Sequence, residues 1–498
     1  MYLFFLLSVL FITSANASSI QPPLVNGTYQ FSFENISLGG SEKMGLLGGN
    51  YLIDHYSWYS GLGVYGAVTG DRGGFFTGGL HLGKNQPLFR GYFFDANAFV
   101  GGGGGGSAPQ GGGLMLRTAL GLGKQITNNR YFLGLSRVYF PNGAIDSTQL
   151  TIAYSRQFTA LHFPGWYSGS TLWERWADSA LGKNKKYQQV SMEMLTYFPA
   201  AGVMGRNFGN YNSVLGMLGV RFSQRLNDVV WGEFETAGAM SGGIDGFAQV
   251  LGGISFKQPL TRRFSFNGGW LLGAAGGGNV DTGGGVITRV FTGVEVALFK
   301  QWSSYLQFGY ATVLDGGFSA NTINLNLVYS FNTFSHTQSF IKSSKPGYLN
   351  WRKLRIRPGL QKYTLYTHRS RKTAGQQDLD VDLTNLKLDA FMSSNWYLTG
   401  QALGAFAGEA GGYAVGLIGP GIQVNHYLGL ELLVGVAGGG GIAVGSGKVL
   451  QPMINFELPY NERWSTELSA GYIKAFDDDL SAYVFNAGLV YRFSLPYQ

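Results

Sequence analysis

Ile323-Asn324-Leu325-Asn326-Leu327-Val328-Tyr329-Ser330-Phe331 places large apolar side chains at every second position, with Asn, Val and Ser between them. A period of two gives one apolar face and one small or polar face, which is the pattern of a β-strand. Adding 162 to each number gives Phe485-Asn486-Ala487-Gly488-Leu489-Val490-Tyr491-Arg492-Phe493, a second strand of the same design. The match continues upstream without a gap, so that Phe264 to Phe331 overlies His426 to Phe493. Ala275-Gly276-Gly277-Gly278 meets Ala437-Gly438-Gly439-Gly440, and Trp302 meets Trp464. A fainter first copy lies at an offset of 172, where Gly111-Gly112-Gly113 precedes Gly283-Gly284-Gly285 and Arg117 precedes Arg289. One loop is spelled in all three copies: GAVTGDRGGFF at 66–76, GAMSGGIDGFA at 238–248 and GAFAGEAGGYA at 404–414. Self-similarity at a fixed spacing sets the architecture before any single motif does.

Composition narrows the class. The 498 residues include 78 Gly, 10 Trp, 28 Tyr and 36 Phe, no Cys, and only 13% charged residues. An ordinary soluble chain is about 25% charged and about 7% Gly. No apolar run after the N-terminus is long enough for a transmembrane helix, which needs about 20 residues. Few charges, many aromatics and no membrane helix together point to a transmembrane antiparallel β-barrel. The second strand face carries Gly, Ala, Ser, Thr and Asn rather than Lys and Glu. It therefore reads as the lumen side, with the apolar face toward lipid. Tyr329, Phe331, Tyr491 and Phe493 fall at strand ends, where an aromatic girdle belongs.

Counting apolar runs gives about eight strands per copy. In the first copy they fall near 28–38, 44–54, 58–69, 75–84, 90–101, 113–124, 130–140 and 147–158. The reading divides the chain into a signal peptide (1–17), repeat 1 (28–158), a linker (159–186), repeat 2 (187–331), a basic linker (332–359) and repeat 3 (360–498). Leu3 to Ile12 supplies the apolar core of the signal peptide, and Ala15-Asn16-Ala17 the small-residue cleavage pattern. STLWERWADSALGKN (170–184) has the pattern of a short amphipathic helix. Tight connections such as NQPL (85–88), ITNNR (126–130) and PYNERW (459–464) are expected on the periplasmic side, and the glycine loops outside. Three tandem eight-stranded barrels are favoured by the long connections between copies. A single barrel of about 24 strands is the alternative.

These residues resemble the bacterial outer-membrane β-barrel class. The signal peptide, the alternating strands and the terminal run Leu489-Val490-Tyr491-Arg492-Phe493 carry the resemblance across the whole mature chain. It implies the outer membrane of a Gram-negative bacterium, contact with its lipid and lipopolysaccharide, and insertion by the barrel-assembly machinery. It implies no particular activity.

Motifs for chemistry are sparse. GLGVYG at 61–66 has the spacing of a dinucleotide turn but no helix after it, and GIAVGSGK at 441–448 fails as a phosphate loop. The six histidines have neither HExxH nor paired spacing, so no metal, cofactor or catalytic residue is assigned. The charge of +8 is concentrated, with ten basic and no acidic residues from Lys342 to Lys372. Within it Lys353, Arg355 and Arg357 alternate onto one face and are the candidate contacts for an anionic polymer or a periplasmic partner. Nucleic acid does not suit an exported barrel. The expected function is passage or export of a solute or anionic polymer such as a polysaccharide. The alternative is a structural or surface-interaction barrel without transport, and the minor one a lipid-modifying enzyme. A lane of inward Lys and Arg would favour passage; a Gly/Ala-plugged interior would favour anchoring.

Overall fold

The computed structural model describes residues 24–166, 185–203, 205, 214–334, 350–372 and 378–497. The signal peptide and the 170–184 helix expected from the sequence lie outside these residues.

Eight antiparallel strands form the first sheet: β1 (Leu24–Gly39), β2 (Glu42–His55), β3 (Trp58–Thr69), β4 (Phe76–Pro87), β5 (Tyr92–Gly104), β6 (Met115–Ile126), β7 (Asn129–Tyr139) and β8 (Asp146–Leu161). Strand β1 pairs with β2 on one edge and with β8 on the other, from Leu24 opposite Leu161 to Glu34 opposite Thr151. The sheet therefore closes into a barrel. Closure matters in lipid because each open-edge N–H or C=O would go unpaired where no water can reach it. A two-residue strand, β9 (Phe163–Pro164), follows.

The second barrel comprises β10 (Lys185–Pro199), β11 (Leu215–Arg225), β12 (Val230–Ser241), β13 (Ala248–Pro259), β14 (Phe264–Gly276), β15 (Val286–Phe299), β16 (Trp302–Val313) and β17 (Ser319–Phe334). It closes through β10 and β17. The third comprises β18 (Asn350–Leu365), β19 (Asp380–Phe391), β20 (Trp396–Ala407), β21 (Ala414–Gln423), β22 (Leu428–Gly438), β23 (Lys448–Pro459), β24 (Trp464–Ala475) and β25 (Ser481–Tyr497). It closes through β18 and β25, and β9 adds to the outer edge of β25. The chain is thus three closed eight-stranded barrels, and each sheet seals on itself rather than joining a single ring of 24.

The period-two reading holds on the outer faces. Leu135, Leu150, Leu325, Leu432 and Phe485 are each at least half exposed, while their neighbours along the strand turn inward. So much exposed apolar area on a folded chain fits hydrocarbon and not water. At the turn side, Trp302 packs on Tyr329 at 5.1 Å and Trp464 on Tyr491 at 4.6 Å, as a girdle requires.

The largest difference from the sequence reading is at the start of repeat 3: residues 350–359, there the end of a basic linker, are the first part of β18. The pattern was hidden because Lys353 to Arg357 alternates basic side chains with apolar ones, and an inward cation does not look like core. A fragment of residues 350–498 is accordingly expected to refold and migrate as a heat-modifiable band. One beginning at 360 should not, since it lacks half a closing strand. Equal folding of the two fragments would show that this half-strand is dispensable.

Candidate functional site: filled lumens and a glycine junction

Barrel 3 shows how an eight-stranded lumen is filled. Arg355 and Arg357 enter from β18 and are each 2% exposed. Arg355 donates to Asp389 at 2.6 Å and to Glu457 at 3.0 Å. Arg357 donates to Asp389 and Glu467 at 2.6 Å and to Glu431 at 2.5 Å. Lys387 adds a bond to Glu431 at 2.8 Å, and Arg492 pairs with Glu457. Four cations thus face four carboxylates, so the cluster is internally neutral. Above it lies a layer of amides, in which Gln401 donates to Gln361 and to Asn385, both at 2.9 Å. The loop half is apolar, with Tyr363, Leu383, Tyr413, Leu433 and Val484 fully buried.

The other two lumens use the same materials. In barrel 1 Arg117 pairs with Glu34 at 2.7 Å, and Glu34 also accepts from Ser136. In barrel 2 Arg221 bridges Glu193 (2.7 Å) and Glu235 (2.8 Å), and Arg289 also pairs with Glu235. Apolar clusters around Tyr65, Phe99 and Phe140 in barrel 1, and Tyr197, Phe247 and Phe318 in barrel 2, again lie on the loop side. The expected Gly/Ala/Ser lining is therefore incomplete. One or two charged residues on a strand, too sparse to break an alternating pattern, supply the bulk in the middle.

Lys353, Arg355 and Arg357 do share a face, but it is the inner one. Arg355 and Arg357 are committed to carboxylates of their own barrel, so these three do not form an exposed docking face. Lys353 sits at the turn-side mouth, 5.5 Å over the Trp166 ring. Trp166 closes that mouth: its indole N–H donates to the Leu354 carbonyl at 3.1 Å, and its ring lies 4.7 Å from Phe391. The Gly165 N–H donates to the Arg492 carbonyl, anchoring the strap. Nothing in the sequence marks residues 163–166 for this, because their partners are more than 180 residues away.

The glycine loops join one barrel to the next. The glycine run of each barrel abuts the repeated loop of another. A Cβ on Gly276 would fall 2.7 Å from Gly74 Cα, and one on Gly438 would fall 2.5 Å from Gly246 Cα. One on Gly412 would fall 2.8 Å from the Gly105 nitrogen. Barrel 2 thus meets barrel 1, barrel 3 meets barrel 2, and barrel 1 meets barrel 3. Such head-to-tail contacts close into a ring of three. Gly113, Gly285 and Gly447 repeat the relation, each aimed at the carbonyl of Ala405, Ala67 or Ala239 of the neighbouring barrel. Gly73 N–H donates to the Gly283 carbonyl at 2.9 Å and Gly412 N–H to Gly103 at 3.1 Å, so two seams carry backbone hydrogen bonds. The third has the Lys372–Asp245 ion pair.

Asp477 accepts from the Ser446 hydroxyl at 2.5 Å, a bond that holds its carboxyl below the usual range. Asp478 accepts from the Gly445 N–H at 2.9 Å. These loop aspartates brace the turn beside them. Among the described residues no group of three or more His, Asp or Glu side chains is placed to hold a metal.

No family model and no curated protein matches this chain. Among solved structures it is similar to the siderophore receptor PirA from Acinetobacter baumannii, at 9% identity over 95% of this chain and 81% of that one, with a TM-score of 0.27. OccAB3 from Acinetobacter baumannii matches at 9% identity over 95% and 98%, with a TM-score of 0.22. The KdgM porin matches at 7% identity over 60% and 98%, with a TM-score of 0.15. Likeness at this level carries no inference about what the chain binds. The architecture in hand is that of the outer-membrane β-barrel class.

Proposed function

We propose that this chain is an outer-membrane protein whose three barrels are sealed and act together as one platform, presenting the joined glycine loops at the outer face. The filling of all three lumens carries this reading. A conducting pore needs a continuous wet lane, and eight strands enclose barely enough room for side chains. Here that room holds paired Arg and Glu at mid-lumen and an apolar plug on the loop side. A shared junction of glycine backbones then makes one rigid unit of three anchors.

Passage of a solute is the second reading, favoured by the polar turn-side halves of barrels 1 and 2. There Tyr59 donates to Asp95 at 2.9 Å and Lys257 contacts Gln189 and Tyr305. It requires the apolar loop-side clusters to move aside. Planar-bilayer recording of the refolded full chain separates the two. Sealed barrels are expected to leave the membrane without stable conductance steps. Reproducible long-lived openings would replace the platform with a pore.

A further inference from the structure

Charges outside the lumens segregate between the two ends of the molecule. On the turn side, barrel 1 has Lys84, Arg90, Lys124 and Arg156. Barrel 2 has Lys186, Arg262, Arg263 and Lys300 against Asp228, and barrel 3 has Arg352 and Arg463 against Glu462. The loop side is richer in acids, including Asp71, Asp245, Asp378, Glu409 and the run Asp477 to Asp479.

The cations are also placed in a particular way. Lys84 lies 5.5 Å over Trp58, Lys124 4.5 Å over Tyr92 and Arg352 5.5 Å over Tyr329. Trp58 and Tyr92 are exposed girdle rings. An amphipathic ring with a cation above it is the arrangement of the membrane interface, where the ring meets hydrocarbon edge and the charge meets headgroups.

We infer that the turn-side rim is a collar that binds the phosphate headgroups of anionic phospholipids in the adjoining leaflet. This rests on the reading of the three barrels as membrane-embedded. The distribution favours lipid over an anionic polymer. The cations run around the circumference beside the girdle rather than gathering on one patch facing away from the membrane. Each cation near an anionic surface contributes about 1 kcal/mol, or about fivefold in association.

The test uses full-length protein refolded into phosphatidylcholine vesicles containing brominated phosphatidylglycerol or brominated phosphatidylcholine. Trp58, Trp302 and Trp464, set on the rim, report quenching. Phosphatidylglycerol is expected to associate at least about fivefold more strongly in dilute buffer, and the preference should shrink in 0.5 M salt, where the screening length falls to about 4 Å. Replacing Lys84, Lys124, Arg156, Lys186, Arg262 and Arg263 by Gln should bring the ratio toward one with heat-modifiable migration retained. Equal quenching by the two lipids in the native protein overturns the collar. So does a salt-insensitive preference, which decides the matter even if the substituted chain fails to fold. Binding of soluble polyphosphate with no lipid preference would reassign the rim to a polymer and also overturn it. Failure of the native chain to enter any vesicle instead refutes the membrane reading beneath it.

Discussion

Arg357→Leu is expected to destabilise barrel 3 by about 3–5 kcal/mol, the cost of leaving buried charges without their partner. The guanidinium touches Asp389, Glu431 and Glu467, all 1% exposed or less. Taking it away leaves four carboxylates facing three cations in a space that water does not fill. Leu restores some volume but no charge, so the loss should appear as a lower urea midpoint and a weakened SDS-resistant band. Adding Glu467→Gln to the same chain, which leaves three carboxylates facing three cations and keeps the Lys387–Glu431 pair, should recover at least half of the loss, which a pure packing defect would not allow. Arg137→Ala is the control. Its pair with Asp146 is 57% and 48% exposed, and such pairs contribute about 0–1 kcal/mol. A midpoint for Arg357→Leu within about 1 kcal/mol of the native chain would mean that the lumen is wet and the charges are solvated.

How much of this was legible depends on the distance over which each feature is encoded. The strands were readable because their signal is local. The first-copy strand at 58–69 matches β3, Trp58–Thr69, at both ends, and 130–140 is displaced by one residue from Asn129–Tyr139. Triplication was readable because the offsets of 172 and 162 keep their register over long stretches. Closure into three barrels was favoured from the long connections, and the β1–β8, β10–β17 and β18–β25 pairings give it.

The lumen network was not legible, although its residues were in view. Arg117 and Arg289 were matched across repeats as markers of register, with no hint that they point inward to Glu34 and Glu235. Those carboxylates lie 83 and 54 residues away from their partners. Arg355 and Arg357 misled for a related reason. A dense basic segment reads as a solvated or docking surface, yet inward positions of a barrel collect their counter-charges one at a time from distant strands. Asp389, Glu431, Glu457 and Glu467 come from four different strands of barrel 3. The glycine runs are plain in the sequence, but the backbones they approach are not. Only the folded molecule shows that the approach is between barrels.

That last point yields the sharpest test of the ring. Most junction glycines cannot separate contact from conformation. Gly276, for example, has φ +154°, so any side chain there is strained before it meets a neighbour. Gly438 and Gly102 are free of this objection, since neither adopts positive φ. An alanine at Gly438 would drive its methyl group into the backbone of Gly246 in barrel 2. One at Gly102 would come within 2.5 Å of the Gly404 carbonyl oxygen in barrel 3. Neither obstacle is a side chain that can rotate away, so the seam must separate. The double substitution is expected to leave each barrel closed and heat-modifiable while opening two of the three seams. The chain has no native cysteine, so cysteines placed at Asp245 and Lys372 can be joined by a short bismaleimide without background. Cross-linking across that seam should fall at least about tenfold on opening, the change expected for roughly 1.4 kcal/mol in the docking equilibrium. Gly400→Ala serves as the control, since its methyl would meet nothing within 4 Å. It should leave cross-linking unchanged. Undiminished cross-linking in the double variant would mean that the chain connections, and not the glycine seams, hold the three barrels together.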